Sequence, residues 1–212
     1  MISRSCLTTA DSPQRSGWTR RLGLVSLACS VACSNPSAPG ASGCAGAYPD
    51  QVTSAYVLPW RVGETYRIGQ GNCGPGSHAA GTIVQYAYDI LMPIGTPIVA
   101  TRGGRVLLVE ERFPDATRIP GQENYINVTH ADGTIAAYVH LTKDGALVGA
   151  GDEVAQGEVI ALSGDSGSST EPHLHFHVQA CEGCATVRVT FRNTRPHPQG
   201  LTEGESYTAE PF

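Results

Sequence analysis

The sequence predicts an all-β fold, a compact antiparallel β-sheet or barrel-like sandwich with few or no helices. Short apolar runs that alternate with polar residues recur along the chain, as in half-buried strands. The 25 glycines and 14 prolines separate these runs and are typical of turns. No long stretch repeats its apolar positions with the helical period. With 212 residues, the chain has room for one such domain and short extensions.

The predicted strands lie in and just beyond a domain over residues 56–180. A further strand and an extended tail over 181–212 are expected to pack on the flank of this domain. The polar segment 111–123 is too long for a hairpin turn and is expected to border a cleft. The eight predicted strands are 87–92, 97–101, 104–110, 125–129, 135–140, 158–163, 173–180 and 186–192.

An export signal is predicted over residues 1–33. Arg20 and Arg21 precede an apolar run of small residues, 22–33, which is too short and too interrupted to be a permanent membrane anchor. A stretch rich in Ser, Pro, Gly and Ala follows and predicts a flexible linker over 34–55. We therefore expect an exported protein of the periplasm, the cell envelope or the extracellular space.

Two cysteines leave the mode of export open. Cys29 and Cys33 follow small residues, as in bacterial lipoprotein signals, but neither has the usual leucine three positions upstream. Lipidation at either cysteine and plain secretion are both consistent with this pattern. Contact with a membrane is expected only through such a lipid anchor.

The charge of the chain disfavours nucleic acid as a partner. Removal of residues 1–33 leaves ten basic and eighteen acidic residues, a formal charge of −8 against −5 for the whole chain. A protein this acidic repels phosphate backbones.

We expect a monomer.

Four cysteines lie beyond the signal, and an even number in an exported chain favours disulfides. Cys181 and Cys184 lie at a turn between two predicted strands, so a bridge between them closes a tight loop. Cys44 and Cys73 are then the remaining pair. A zinc knuckle is the competing interpretation of CxxC, but the chain has no second CxxC to complete it.

Three histidines alternate along one predicted strand, at His173, His175 and His177. Residues at i, i+2 and i+4 of a strand point to the same face, so the three imidazoles line one surface. Neighbouring imidazoles can form one edge of a metal site. The alternative is a strand face that merely carries polar residues. Three histidines in register beside the Gly/Ser-rich loop 163–170 favour the metal site.

Several short motifs surround these histidines: GTPIVA at 95–100, GRV at 104–106, YVHL at 138–141, GDEVAQG at 151–157, SGDSG at 163–167 and PHLHF at 172–176. Together they resemble the lysostaphin-type, LytM-like zinc metalloendopeptidases and keep that family's order over about residues 77–178, half of the chain. Each motif alone is weak, but the set is specific. The resemblance implies a fold of the duplicated hybrid motif type.

The resemblance also implies roles for individual residues. The second histidine of HLH binds zinc in the family and the first acts in catalysis, which points to His175 as a ligand and His173 as a catalytic group. His140, in YVHL, corresponds to the second catalytic imidazole. Asp89, in YAYDI at 86–90, corresponds to the metal-binding aspartate.

The remaining ligand is where the chain departs from the family. Many members place a histidine four residues before the aspartate, but position 85 is Gln85, and an amide is a poor zinc ligand. His78 lies eleven residues before Asp89, and some members carry such an insertion. A turn and a strand could return it to the site, because neighbouring strands lie about 4.8 Å apart. We take His78, Asp89 and His175 as the ligands of one zinc ion.

The implied function is an exported zinc endopeptidase that hydrolyses peptide bonds of peptidoglycan stem peptides or cross-bridges, with glycine-rich peptides as related substrates. Zinc with three protein ligands keeps one position open for water. His140 and His173 would act there as base and acid, in an order that the sequence leaves open. The alternative is a non-catalytic relative that binds the cell wall or activates another hydrolase.

Two local motifs suggest other functions but lack the required surroundings. GDSG at 164–167 occurs around serine-protease nucleophiles, but Ser168 stands where a further glycine is expected. Lipoyl carriers need a lysine at a hairpin tip, and the single lysine, Lys143, lies elsewhere.

The other histidines have weaker interpretations. His177 either orients a neighbouring ligand or simply ends its strand. His130 is expected to be a hairpin residue rather than a ligand, and His197 to be solvated in the tail.

Overall fold

The computed structural model describes residues 46–212, and this part of the chain contains eleven strands and no helix. The predicted all-β fold class is confirmed. The strands are β1 (Thr65–Gln70), β2 (Tyr88–Leu91), β3 (Pro97–Val99), β4 (Gly104–Glu110), β5 (Tyr125–Thr129), β6 (Ile135–Val139), β7 (Leu141–Ala146), β8 (Glu153–Val154), β9 (Val159–Ser163), β10 (His173–Gln179) and β11 (Ser206–Thr208).

The strands form two antiparallel sheets. The larger sheet has eight strands in the order β11-β1-β2-β10-β6-β5-β4-β8, and the smaller has three in the order β3-β9-β7. Strand β10 lies inside the larger sheet, with β2 on one side and β6 on the other. Its hydrogen-bonding groups are therefore occupied on both edges, which fixes its position.

Strand β10 separates the hydrophobic core from the candidate site. Leu174, Phe176 and Val178 have no exposed surface, and Phe176 packs against Tyr138. Burying each such side chain stabilises the fold by about 1.5–3 kcal/mol. A slip of one residue would turn these side chains out of the core, so the register holds the alternating histidines on the opposite face.

The predicted strand over 186–192 is wrong. This segment makes only isolated bridges, at Thr186 and Phe191. Its backbone groups find other partners: the Phe191 N–H, for example, donates to His197 Nε2. The apolar residues that alternate over 186–192 pack on the domain, but the backbone of this segment forms no continuous series of strand-to-strand hydrogen bonds.

Four strands were not predicted: β1, β7, β8 and β11. They are short or mostly exposed, so they carry little apolar alternation. In β1 only Ile68 is fully buried, and in β11 only Tyr207 is buried.

The tail and the start of the described chain both belong to the folded domain. Strand β11 of the tail pairs with β1. Gln51 Nε2 donates to the Thr194 carbonyl at 2.8 Å, and the Ser54 hydroxyl donates to the Thr190 carbonyl. Residues 49–54 were expected to lie in a flexible linker, but these bonds attach them to the tail.

Cys181 and Cys184 form the predicted disulfide. Cys73 is also disulfide-bonded. Its expected partner, Cys44, lies outside the described residues, so that pairing stays a prediction. The export signal lies outside them too, including Cys29 and Cys33. Among residues 46–212, no helix is long and apolar enough to cross a membrane.

Candidate metal centre

Two of the expected ligands lie on adjacent strands. Asp89 of β2 is the register partner of His175 of β10, and Asp89 Oδ1 lies 2.8 Å from His175 Nδ1. Tyr88 and Ile90 point into the core on either side of Asp89. Strand alternation therefore directs Asp89 to the face that carries the histidines.

His78 reaches the same point from the loop 71–87, which connects β1 and β2. Its side chain is fully buried. The Nε2 atom of His78 lies 3.4 Å from Asp89 Oδ1 and 3.3 Å from His175 Nδ1. The Nδ1 atom lies 3.3 Å from the Gly71 carbonyl. Donation of the Nδ1 proton to Gly71 leaves the lone pair on Nε2, toward the other two groups.

These three side chains form a donor set that fits zinc. Two imidazole nitrogens and a carboxylate oxygen are common zinc ligands, and bonds of about 2.0–2.1 Å in a tetrahedron place ligand atoms about 3.3 Å apart. Within residues 46–212 this is the one group of three or more such donors whose atoms converge, all within 4.8 Å of one another. The members are His78, Asp89 and His175.

His140 and His173 stand beside this group, with ring centroids 4.7 Å apart. His173 Nε2 lies 3.6 Å from Asp89 Oδ1. His140 Nδ1 lies 2.7 Å from the Ser166 carbonyl, and His173 Nδ1 lies 2.8 Å from the Glu171 carbonyl. These bonds assign the ring proton to Nδ1 in both residues. Each neutral ring then keeps an unprotonated Nε2.

His140 is held in a strained backbone conformation. Its φ is 65°, in the left-handed region, which costs a non-glycine residue about 1–2 kcal/mol. The residue lies between the end of β6 and the start of β7. Such strain concentrates at functional positions, and the bond to Ser166 holds the ring in place.

Burial and hydrogen bonding set the charge of the centre. Burial, followed by the neighbouring His173, lowers the pKa of His140 to about 4. Burial also lowers the pKa of His175. Burial opposes ionisation of Asp89, but the polar contacts with His175 and His78 outweigh it and hold the pKa of that carboxyl well below its usual range. The result at neutral pH is an ionised carboxylate with a neutral His175, the form in which these side chains bind metals.

The group lies in an open cleft of about 470 Å³. One wall is formed by residues of loop 163–170 together with Glu123, and Gln70 and Ser77 also line the cleft. No lysine or arginine is among the lining residues of this cleft. With Asp89 and Glu123 its fixed charge is negative.

The polar segment 111–123 supports the cleft wall. The Arg118 guanidinium donates to the Asp165 carboxylate and to the Ser169 carbonyl. The Ser168 N–H donates to Glu123 Oε1 at 3.0 Å. Segment 111–123 therefore ties down the Gly/Ser-rich loop, which carries the Ser166 carbonyl that contacts His140 and directly precedes Glu171, whose carbonyl contacts His173. Those partners are backbone carbonyls, which leave no signature in a sequence.

The other singled-out residues have different surroundings. Gln85 Oε1 accepts the Gly81 N–H within its own loop. His130 is buried in its hairpin, with Nδ1 3.0 Å from the Gly103 carbonyl. The prediction that His197 is solvated is wrong. It is only 3% exposed, because the tail folds over it.

The sequence pattern of peptidase family M23 matches residues 83–188, half of the chain. The chain belongs to peptidase family M23. The resemblance to lysostaphin-type enzymes is thereby confirmed. The matched range includes Asp89, His140, His173 and His175, but it begins after His78. The third ligand candidate therefore lies outside the residues that the family pattern matches.

Curated relatives of this M23 chain include peptidoglycan endopeptidases. The peptidoglycan DD-endopeptidase ShyA of Vibrio cholerae is 36% identical over 90 residues, which are 42% of this chain and 19% of that protein. Lysostaphin of Staphylococcus simulans is 37% identical over 112 residues, 52% of this chain and 21% of that protein. The chain thus spans about a fifth of these relatives. The catalytic domain of Staphylococcus simulans lysostaphin aligns with a TM-score of 0.42 and 32% identity, over 54% of this chain and 80% of that one.

Proposed function

We propose that this M23 family member is an exported zinc-dependent endopeptidase that hydrolyses peptide bonds of peptidoglycan stem peptides or cross-bridges. The proposal is carried by the convergence of His78 Nε2, Asp89 Oδ1 and His175 Nδ1 beside His140 and His173. A non-catalytic relative has no need of three ligands together with two further imidazoles.

His78, Asp89 and His175 would hold one zinc ion. Zinc bound there supplies a Lewis acid that polarises a peptide carbonyl and activates water near neutral pH. The carboxylate of Asp89 offsets one of the two positive charges. Among residues 46–212 only three donor side chains converge, so substrate and solvent would reach a bound metal from the open side of the cleft.

His140 and His173 would move the protons of the reaction. Each ring donates its Nδ1 proton to a backbone carbonyl and keeps Nε2 unprotonated. One Nε2 would accept a proton from the attacking water and later return it to solvent. The other would take up a proton from solvent and deliver it to the leaving amine. The Ser166 carbonyl favours the charged form of His140, because it accepts from the Nδ1–H of that ring.

The cleft suits an extended peptide. It is open along one side, and its lining carries no basic side chain that could hold a polyanion. The relatives named as peptidoglycan DD-endopeptidase and lysostaphin support peptidoglycan peptides as the substrate class. Export to the envelope or beyond would bring the protein to this substrate, either free or through a lipid on Cys29 or Cys33. Nucleic acid is not a partner in this proposal, and the protein acts as a monomer.

Digestion of purified sacculi tests the proposal. The zinc-loaded full chain should release new peptide amino termini that mass spectrometry identifies. His173→Ala and chelator-treated wild type should release none, while His130→Gln, altered outside the cleft, should behave as wild type. Intact sacculi after treatment with zinc-loaded wild type would overturn the proposal. Binding to sacculi without any cleavage would instead support the non-catalytic module.

A further inference from the structure

His177 touches the proposed metal ligand His175 on the side away from the other two ligands. It lies two positions further along β10, on the same face, and is only 7% exposed. His175 Nε2 and His177 Nδ1 are 3.0 Å apart, and the two rings meet edge to face with centroids 5.1 Å apart. The M23 pattern includes this position, and the sequence alone leaves open whether His177 orients a neighbouring ligand or simply ends its strand.

The direction of this hydrogen bond follows from the arrangement of the ligands. His175 Nδ1 faces Asp89 Oδ1 at 2.8 Å and His78 Nε2 at 3.3 Å, so it is the nitrogen that would face the zinc ion. A neutral imidazole carries one ring proton, and the metal-facing nitrogen needs its lone pair. The proton of His175 must therefore lie on Nε2. That N–H donates to His177 Nδ1, which must itself be unprotonated.

We infer that His177 is a positioning residue for the metal centre: it accepts the Nε2 proton of His175 and so fixes the tautomer and the orientation of that ligand. The inference rests on the proposed zinc ligands. Metal-bound histidines usually donate their second N–H to a carboxylate, a backbone carbonyl or water. Here a buried imidazole takes that place and adds no second negative charge near Asp89.

The surroundings of His177 support this role over simple packing. Its side chain lines the cleft beside His175 instead of joining the apolar core, which lies on the other face of β10. Rotation of the His175 ring about its Cβ–Cγ bond would break both the Nδ1 contact to Asp89 and the Nε2 contact to His177. The two contacts together therefore define one ring orientation.

Zinc affinity of matched variants tests the inference. Asn and Leu have nearly the same size, but only Asn carries a carbonyl oxygen close to the position of His Nδ1. The full chain is stripped of metal, its thermal unfolding is recorded, and zinc is titrated against a chromogenic chelator. His177→Leu should lose about 10- to 100-fold in zinc affinity, and His177→Asn should stay within about threefold of wild type. Gln179→Leu, on the same strand but outside the cleft lining, is the control and should match wild type.

The outcomes separate this inference from the proposed function. Wild-type affinity in His177→Leu, or equal losses in the Leu and Asn variants, would overturn the positioning role while leaving the zinc ligands in place. Failure of the wild type to bind zinc would overturn the ligand set itself. If His177→Leu does not fold without metal, His177→Ala takes its place in the comparison with His177→Asn.

Discussion

The part of the metal centre carried by the sheet differs from the part carried by a loop in what holds each side chain. Asp89 and His175 are register partners on neighbouring strands, and the residues that flank each of them along its own strand are buried in the core. His78 lies in the loop 71–87, where one bond to Gly71 orients its ring. The core thus fixes two ligands at once, whereas the third depends on a few local contacts. The sheet decides where a metal can bind, and the loop decides whether the site is complete.

Removal of a sheet-borne ligand should have the largest effect. Asp89→Ala deletes the only carboxylate of the donor set, and loss of a direct ligand should exceed the roughly 10- to 100-fold cost of losing an outer partner. We expect zinc content near zero and hydrolysis of a pentaglycine or stem-peptide substrate at least about 1,000-fold lower. Glu153→Ala, on the distant β8, is the control. A tenth of wild-type activity in Asp89→Ala would show that the metal is held elsewhere.

The same contrast explains what the sequence could predict. The histidine alternation over 173–177 placed three rings on one face, because side-chain direction in a strand follows from position alone. Asp89 follows from the family resemblance alone. The core strands β4, β5, β6, β9 and β10 were predicted because each is a short, largely apolar or alternating run between turn residues.

The loop-borne and tail-borne features were harder to predict. His78 was a choice among candidates, because a loop conformation depends on backbone bonds such as that between the Cys73 N–H and the Gln85 carbonyl. The carbonyl partners of His140 and His173 have no sequence signature. His197 was misassigned because its burial comes from a tail whose packing on the domain is not encoded by local periodicity.

Loss of a catalytic imidazole should have the next largest effect and should leave the metal in place. His140→Ala and His173→Ala remove proton transfer, which contributes about 10²–10⁴-fold. We expect kcat to fall by that factor while zinc content stays near one per chain. Zinc loss comparable to that of Asp89→Ala in either variant would contradict the division between ligands and catalytic groups. Metal analysis and initial rates on the same samples provide the measurement.

A weaker effect is expected from loosening the cleft wall. Arg118→Ala frees loop 163–170 from two of its bonds, to Asp165 and to the Ser169 carbonyl. Small displacements of catalytic groups are costly, so kcat should fall about 3- to 30-fold with unchanged zinc affinity. Arg112→Ala, an exposed arginine of the same segment that pairs with Glu110, is the control and should retain activity. Equal kcat values in both variants would show that the bonds of Arg118 to loop 163–170 do not contribute to catalysis.

The smallest expected effect is on the pH dependence of the free energy of unfolding, through His197 in the tail. Burial lowers the pKa of His197, and the nearby Arg195 charge acts in the same direction. The unfolded chain takes up the proton near pH 6.5 and the folded chain only at lower pH. The His197 contribution is therefore present above pH 6.5 and is lost as the pH falls, at no more than about 1.4 kcal/mol per pH unit. His197→Gln should lose less unfolding free energy than wild type between pH 7 and pH 5 in urea titrations of the metal-free protein. Identical pH profiles would contradict a neutral, buried His197.

The central claim is that His78 of the loop binds the same zinc ion as Asp89 and His175 of the sheet. A zinc-edge anomalous difference map of the crystallised, zinc-loaded protein tests this claim most directly. We expect one strong peak per chain, about 2.0–2.2 Å from His78 Nε2, Asp89 Oδ1 and His175 Nδ1. A peak bound by Asp89 and His175 while His78 stays out of bonding distance, or no peak at this position, would contradict the account.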